Sequence, residues 1–493
     1  MPVANSMPYS KNFAEHPLTP TAALVLAAGL GTRMRSARAK VLHEVGGRPM
    51  IVRALAPLFE LGIAPVVIVV GHQADLVQEA VARAYPGREV IFASQPVQRG
   101  TGDAARCGMA AMPAQFGGDV LITYGDVPAL RAATLAQLLS HHRAGKMALS
   151  LITLELEEPA SYGRIIREPS GAVAAIVEAC DAVGEQRALR EINAGVYVAG
   201  ANFLRQGLSA ISSANAQGEF YLTDLVAIAR ARGLAVGGFR AADPQEFVGI
   251  NSLEELAQVN AEIRKTVNRR LMAAGVTLVD PDTAYIDPEV EIGADTIIGP
   301  NVQILGASRI AAGVRIDGTA WLREVSVGAG SHLKLGVRAE RCRIGEQCEV
   351  GPFAHLREGT ELSGGNRIGN FVETKQARIG QGSKASHLSY LGDVTVGEQT
   401  NIGCGVITVN YDGYDKHQSR IGDHCMVGCD SQLIAPVSIG DEAYVASGTT
   451  VVRDVPAGAL ALSHHPQRER EGWTRTWHQR HRGTRQRPGK ANE

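Results

Sequence analysis

The stretch LVLAAGLGTRM, Leu24 to Met34, is an apolar run that breaks into two glycines and an arginine. Gly29 and Gly31 let backbone N–H groups come close to an anion, and Arg33 supplies a planar cationic fork. Lys40, in RAKVLHEVGGRPM, adds a second cation seven positions later, before Pro49 opens a further helix. The natural guest of this group is a phosphate. Neither of the common phosphate loops is present: a Walker A loop needs Gly-Lys-Ser/Thr after its second glycine, and the dinucleotide fingerprint needs a third glycine where Met34 stands.

The elements around these residues tell where they stand. Up to about Phe247, apolar runs such as ALVLAA, PVVIVV, EVIFAS and DVLITYGD alternate with helical segments such as ADLVQEAVARAY and AATLAQLLSHHRA. That alternation predicts a parallel sheet wrapped by helices, whose ligands sit beyond the carboxyl ends of the strands. The glycine loop, Tyr124–Gly125–Asp126 and Ser94–Gln95 all follow strand-like runs and are expected to share one crevice. From Ser252 to Gly275 the pattern is one long helix, with Ser252 and Glu255 as a capping box and Leu253, Leu256, Ile263, Val267 and Leu271 at helical spacing.

Beyond the helix the period becomes six. Ile286, Ile292, Ile298, Ile304, Ile310, Ile316 and Leu322 are six apart, with Val290, Thr296, Val302, Ser308, Val314, Ala320 and Ser326 four residues after each. The register breaks and resumes at Ile421, Val427, Leu433, Ile439, Val445 and Val451. Hexapeptide repeats of this kind predict a parallel β-helix with stacked aliphatic columns. Thr408 to Arg420, TVNYDGYDKHQSR, is too polar and too long for one coil and is expected to protrude as a loop.

Bulk composition narrows the function. The 493 residues call for two or three domains, and 49 Lys and Arg against 50 Asp and Glu leave no basic excess for nucleic acid. No apolar run approaches a membrane span, and residues 1–20 lack the apolar core of a secretory signal, so they read as a disordered leader on a cytoplasmic protein. Seven cysteines without a CxxC pair indicate neither a disulfide framework nor a structural zinc.

The motifs LAAGLGTRM, QRGTGDA, YGDVP, YGRI, EINAGVY, NFVETKQARIG, GSKASHLSYLGD and VNYDG, in this order, resemble those of one enzyme family over roughly Ala22 to Gly472. It is the bifunctional bacterial N-acetylglucosamine-1-phosphate uridylyltransferase and glucosamine-1-phosphate N-acetyltransferase. The resemblance implies a Rossmann-like α/β nucleotidyltransferase domain over 21–250, a linker helix over 251–275, a left-handed parallel β-helix acetyltransferase domain over 276–466 and a basic, disordered tail over 467–493. It also implies a homotrimer with acetyl sites between subunits, Mg2+ as cofactor, and UTP and acetyl-CoA as co-substrates.

In the first domain the attacking sugar phosphate is already an anion, so charge neutralisation by Arg33 and Lys40 and in-line positioning replace a strong base. Asp126 and Asn251 are oxygen donors suited to Mg2+. By resemblance, Leu26, Ala27, Ala28, Gly29, Gln95, Gly100, Thr101, Tyr124, Gly125 and Asp126 bind the nucleotide, while Gly163, Glu178 and Asn193, with Asn251, hold the sugar phosphate. In the second domain an amine must lose a proton before attacking a thioester. Histidine, whose unperturbed pKa as a residue type is about 6.5, suits that task and typically brings about 10^2 to 10^4 in rate, and His387 is the candidate. Arg357, Lys375 and Lys416 offer cations for the sugar phosphate, Glu373 orients the amine, and Tyr390 and Asn401 add polar contacts. Cys404, Asn410, Tyr411, Cys429, Ser447 and His464 are the expected acetyl-CoA contacts.

Three positions depart from the family pattern. Leu30 replaces a basic residue of the glycine loop. Cys429 stands where serine is common, and His464 where an arginine contacts coenzyme A, which predicts weaker acetyl-CoA binding. The tail from Arg468 to Lys490 holds eight Lys or Arg against two acids, with Trp473 and Trp477 interleaved, and reads as a solvated extension. The alternative function is a single-activity sugar-1-phosphate nucleotidyltransferase with a structural or regulatory β-helix.

Overall fold

The computed structural model describes residues 20–463 and 467–482. His464, and the expected leader up to residue 19, lie outside the described residues. The chain folds as two compact units, Met1–Ile263 and Arg264–Glu493.

In the first unit seven strands form the main sheet, in the order Val236–Arg240, Leu149–Glu155, Glu191–Gly200, Asp119–Tyr124, Thr21–Ala27, Val66–Val70 and Val90–Ser94. Side chains of the central strand alternate between two cores: Ala22, Leu24 and Leu26 meet helices Thr101–Ala111, Ala201–Ala210 and Asp224–Ala231. Ala23, Val25 and Ala27 face Met50–Glu60, Ala74–Ala84 and Ala132–Ala144 on the other side. A strand buried on both faces has no polar side, which is why its sequence shows an unbroken apolar run.

The expected all-parallel sheet is corrected in one place. Glu191–Gly200 runs antiparallel to both of its neighbours, Asp119–Tyr124 and Leu149–Glu155. A parallel pair needs a crossover of a dozen or more residues, usually a helix. Between Glu155 and Glu191 the chain instead makes the hairpin Arg164–Arg167 with Val173–Val177. The strand therefore returns in the opposite direction.

The helix Leu253–Ala273 starts on the predicted capping box. The Glu255 N–H donates to Ser252 Oγ at 3.1 Å, and the Ser252 N–H donates back to Glu255 Oε2 at 3.1 Å. Leu256, Val259 and Ile263 pack on Met34, Val45, Met50 and Ile250 of the first unit. Val267, Asn268 and Leu271 are buried, and Asn268 Nδ2 donates to the carbonyls of Pro281 and Ala284 in the second unit. Leu253, expected on the apolar stripe, is instead exposed at the first turn.

The second unit is a left-handed parallel β-helix whose coils carry two- to seven-residue strands on three faces. Ile286 pairs with Ile304 and Ile304 with Leu322, Ile292 with Ile310, and Ile298 with Ile316, so the six-residue columns are stacked 18 residues apart. The next pairs, Leu322 with Ala339, Ile310 with Val327 and Ile316 with Leu333, are 17 apart. One residue is dropped at the corner after Leu322. As a result Val325 is buried where Ser326 was expected to point inward, and Ser326 is exposed.

Glycine is required where coils touch. A Cβ on Gly299 would lie 2.1 Å from the Asp317 carbonyl oxygen, and one on Gly428 2.5 Å from the Ser447 nitrogen. Buried hydroxyls at the corners donate to the following coil, as Ser331 Oγ does to the Gly345 carbonyl at 2.8 Å. The expected loop is present but shorter: strands take in Ile407–Val409 and Ser419–Ile421, leaving 410–418 outside. The tail, expected to lack regular structure, forms an exposed helix over Trp473–Arg482, in which Trp473 and Trp477, one turn apart, stack with centroids 6.2 Å apart.

Gly299→Ala places a methyl group against backbone that a flexible side chain cannot relieve. It is expected to lower the stability of the second unit by about 1–3 kcal/mol, read by calorimetry as a downward shift of that unit's melting transition with no shift of the first.

Candidate active sites

At the carboxyl edge of the first sheet, residues at the ends of Thr21–Ala27, Val90–Ser94 and Asp119–Tyr124 line a cavity of about 200 Å3. Leu26, Ala27, Ala28 and Gly29 form one wall; Gln95, Gly100 and Thr101 another; Tyr124, Asp126 and Lys40 close it. Gln95 is buried, its Nε2 donating to Asp103 Oδ2 at 3.0 Å and to the Gly100 carbonyl at 3.3 Å. Gly100 holds φ at +105°, and a Cβ there would meet the Phe220 carbonyl at 2.6 Å. The close approach of Phe220 therefore fixes the glycine and, through it, the start of the helix at Thr101.

Lys40 occupies the centre. Its stem lies on Gly31, where a Cβ would sit 2.7 Å from Lys40 Cβ. Its ammonium forms an ion pair with Asp126 and donates to Asn251 Oδ1 at 2.8 Å. The two residues expected to bind a divalent cation thus present oxygens to one point, already shared by a positive charge. Gly125 is tight as well: a Cβ there would touch Ala27 Cβ and Ile51 Cδ1 at 3.0 Å. Arg33 stands exposed on the short turn Thr32–Met34 and does not line the cavity, whereas its neighbour Met34 is buried.

Tyr124 separates this cavity from a second group. Burial, with the nearby Asp126 and Glu178 charges, pushes its phenol well above the ordinary value, so it stays neutral. Beside it, Glu178 Oε1 accepts from Thr223 Oγ1 at 2.9 Å and Asn193 Nδ2 donates to Tyr197 Oη at 2.6 Å. The Gly163 carbonyl accepts from the Asn193 N–H at 2.9 Å, and a Cβ on Gly163 would come within 3.4 Å of Glu178 Oε2. Burial raises the Glu178 carboxyl above the usual carboxylate range, and Asp181 and Asp224 add to the rise against the Thr223 hydrogen bond.

In the second unit one corner gathers the expected base and coenzyme contacts. Asn370 pairs with His387, and the His387 Nδ1–H donates to Asn370 Oδ1 at 2.7 Å. Two positions beyond the pairs Ala385–Ile402, Ile402–Val427 and Val427–Val445 stand His387, Cys404, Cys429 and Ser447. They form one column with a rise of about 4.8 Å per coil. The glycine before Asn370 makes the contact possible, because a Cβ on Gly369 would lie 1.9 Å from the Ser386 carbonyl oxygen.

A second group stands on another face of the same coils. Glu373 pairs with Tyr390, and Lys375 with Gly392. Glu373 Oε1 accepts from Arg357 Nη1 at 2.8 Å and raises the arginine further above its ordinary value. Lys375 and Lys416 stand side by side, and the neighbouring ammonium pulls Lys375 below the usual lysine range. Two adjacent ammonium groups, opposed by the Asp393 carboxylate, invite an anion. Asn401 Nδ2 donates to Met426 Sδ at 3.2 Å. In the loop, Asn410 Nδ2 donates to Asp393, and Tyr411 Oη to the Gly413 carbonyl. The loop is shaped by Asp412, held well below the usual carboxylate range by the Asp415 N–H, the His417 imidazole and the Tyr414 N–H.

Several members of these sites carried no assigned role in the sequence. Gln98 and Glu219 line the first cavity, and Gln98 Nε2 donates to the Ala28 carbonyl at 3.2 Å. Asn370 and Asp393 are the others. Gln98 and Asn370 open the motifs QRGTGDA and NFVETKQARIG, so their motifs were visible although their roles were not. Nothing in the sequence marks Glu219.

Known proteins are similar to this chain in sequence. A family profile described as "MobA-like NTP transferase domain" matches residues 23–195, "GMPPB C-terminal domain" matches 281–363, and "Bacterial transferase hexapeptide (six repeats)" matches 418–453. The chain is 47% identical over 452 residues to the bifunctional protein GlmU of Pelobacter propionicus, covering 92% of this chain and 97% of that protein. It is 47% identical over 460 residues to that of Kineococcus radiotolerans, covering 93% and 92%, and 46% identical over 453 residues to that of Trichlorobacter lovleyi, covering 92% and 98%. The chain belongs to the family of the bifunctional GlmU proteins, the N-acetylglucosamine-1-phosphate uridylyltransferases and glucosamine-1-phosphate N-acetyltransferases whose motifs it carries.

Proposed function

We propose that Met1–Ile263 transfers UMP from UTP to N-acetylglucosamine 1-phosphate, releasing pyrophosphate, and that Arg264–Glu493 first acetylates glucosamine 1-phosphate with acetyl-CoA. The observation that carries the reading is the convergence of Lys40, Asp126 and Asn251 beside a cavity walled by the glycine loop, Gln95, Gly100 and Thr101. The uracil end is gripped by Gln95 and Thr101; the sugar lies past Tyr124 against Gly163, Glu178 and Asn193. Asp126 and Asn251 fit Mg2+, which takes few protein oxygens and keeps several waters, and which when bound would neutralise charge on the phosphates. Lys40 then turns its ammonium from Asp126 to the triphosphate. Arg33 reaches in from its exposed turn only toward a bound anion.

For acetyl transfer, His387 Nε2 accepts the proton of the amine as the nitrogen attacks the thioester carbon; the C–S bond then breaks, and the departing coenzyme A thiolate takes up the proton that Nε2 gained. Asn370 holds the tautomer that leaves Nε2 free. Arg357, Lys375 and Lys416 take the phosphate, and Glu373 orients the amine. Asn401, Tyr390 and Asn410 add polar contacts, and Cys404, Cys429 and Ser447 line the path of the coenzyme, with Tyr411 beside it. A homotrimer in the cytoplasm is part of this reading. Leu335, Phe353, Phe371 and Leu388 support it as an exposed apolar ridge along one corner, with Phe353 and Phe371 stacked at 5.7 Å.

Crossed substitutions test the division of labour. His387→Ala is expected to lower the acetyl-transfer rate by about 10^2 to 10^4 and to leave uridylyl transfer intact; Asp126→Asn is expected to do the reverse. Loss of both activities in either variant, with the fold preserved by circular dichroism, would contradict the assignment.

Glu178 gives a pH test. Its raised carboxyl value means that ionisation costs stability in the fold, a cost absent below the ordinary carboxylate range and growing as pH rises through the folded value. Glu178→Gln is expected to raise the melting temperature at pH 8 relative to the parent, with the difference vanishing near pH 4, and to weaken binding of N-acetylglucosamine 1-phosphate in calorimetric titration.

A further inference from the structure

Cys404 and Cys429 are free thiols at equivalent positions of adjacent coils. The Asp430 N–H donates to the Cys404 carbonyl at 2.7 Å, and a Cβ on Gly403 would lie 2.6 Å from the Cys429 nitrogen. The two corners are thus in direct contact. Paired positions on neighbouring strands stand about 4.8 Å apart, inside the Cα separation of about 4.4–6.8 Å that a disulfide spans. The other five cysteines are arranged differently: Cys342, Cys348 and Cys425 are buried, and Cys107 and Cys180 belong to the first unit.

Exposure divides the pair into two roles. Cys429 is exposed and open to an oxidant; Cys404 is half-buried beside it. The pair also continues the column of His387, one and two coils on. We propose that Cys404 and Cys429 form a reversible disulfide that switches off acetyl transfer and leaves uridylyl transfer running. The inference rests on the reading of Arg264–Glu493 as the acetylating unit.

The chemistry balances with a small-molecule disulfide as oxidant. The Cys429 thiolate attacks one sulfur of that disulfide, forms a mixed disulfide and expels the first small thiolate. The Cys404 thiolate then attacks Cys429 Sγ, closes the intramolecular bond and expels the second. Two electrons leave the protein, the small disulfide becomes two thiols, and the two protein protons pass to them through solvent. The closed bond removes the Cys429 S–H donor from the coenzyme path and ties the corner beneath His387. A displacement of about 1 Å at a reacting centre costs about a hundredfold in rate.

The test uses the full-length protein and oxidised glutathione. Oxidation is expected to lower the intact mass by about 2 Da, the loss of two thiol hydrogens, and peptide mapping should join the Cys404 and Cys429 peptides within one chain. Acetyl transfer should fall at least about tenfold and return with dithiothreitol, while uridylyl transfer in the same sample holds. Cys429→Ser and Cys404→Ala should each abolish the cross-link. The oxidant should not change whatever rate Cys429→Ser shows when reduced, whereas Cys404→Ala should stop at a glutathione adduct on Cys429 that dithiothreitol removes.

Stable glutathione adducts without the cross-link, a bond between two chains, or an oxidised protein that acetylates at its reduced rate would each overturn the proposal. A reduced protein that forms the cross-link but never acetylates glucosamine 1-phosphate would instead overturn the site reading and leave the thiol pair in place.

Discussion

Backbone hydrogen bonds running from each coil to the next determine where every side chain of the second unit stands. The Glu373 N–H donates to the Ser389 carbonyl, the Tyr390 N–H to that of Val406, and the Ile407 N–H to that of Ser431, so an outward residue is locked over its counterpart one coil away. Side chains that would repel each other in water are placed together by this ladder. Lys375 and Arg357 face one region because the ladder holds them there, Lys416 joins them from the loop, and the cost of that crowding is the same interaction that attracts an anion. The His387 imidazole and the Asn370 amide obey the same constraint.

The first unit solves a related problem by different means. The groups that line its cavity come from the ends of separate strands and from the start of a helix, brought together by the order of the sheet. Lys40 keeps the site neutral while no phosphate is present, because Asp126 and Asn251 share its ammonium. An uncompensated carboxylate at a part-buried edge would cost more than a paired one. The pairing therefore stabilises the resting site and sets up the exchange of partners that a triphosphate demands.

Much of this was legible in the residues. The apolar runs buried on both faces, the capping box and the six-residue columns each follow from one local rule, and each is present in the structure. The six-residue register is interrupted between Ser326 and Ile421 because the coils often drop a residue at a corner, which breaks a strict count of six without breaking the stack. The antiparallel strand Glu191–Gly200 was hidden because strand direction depends on what joins the strands, and a short hairpin there reads much like any apolar run. Within the sites, the motifs located the neighbourhoods, while partners such as Asn370 and Glu219 are set by register and loop path that no single stretch encodes.

One absent side chain governs more than its size suggests. At Gly369 the backbone of the following coil passes so close that a methyl group has no room, and the adjacent residue is the amide that meets the imidazole of His387. A hydrogen atom thus serves as the spacer that lets an amide reach an imidazole one coil away. The aim of the ring is set, in effect, by a position with no functional group of its own.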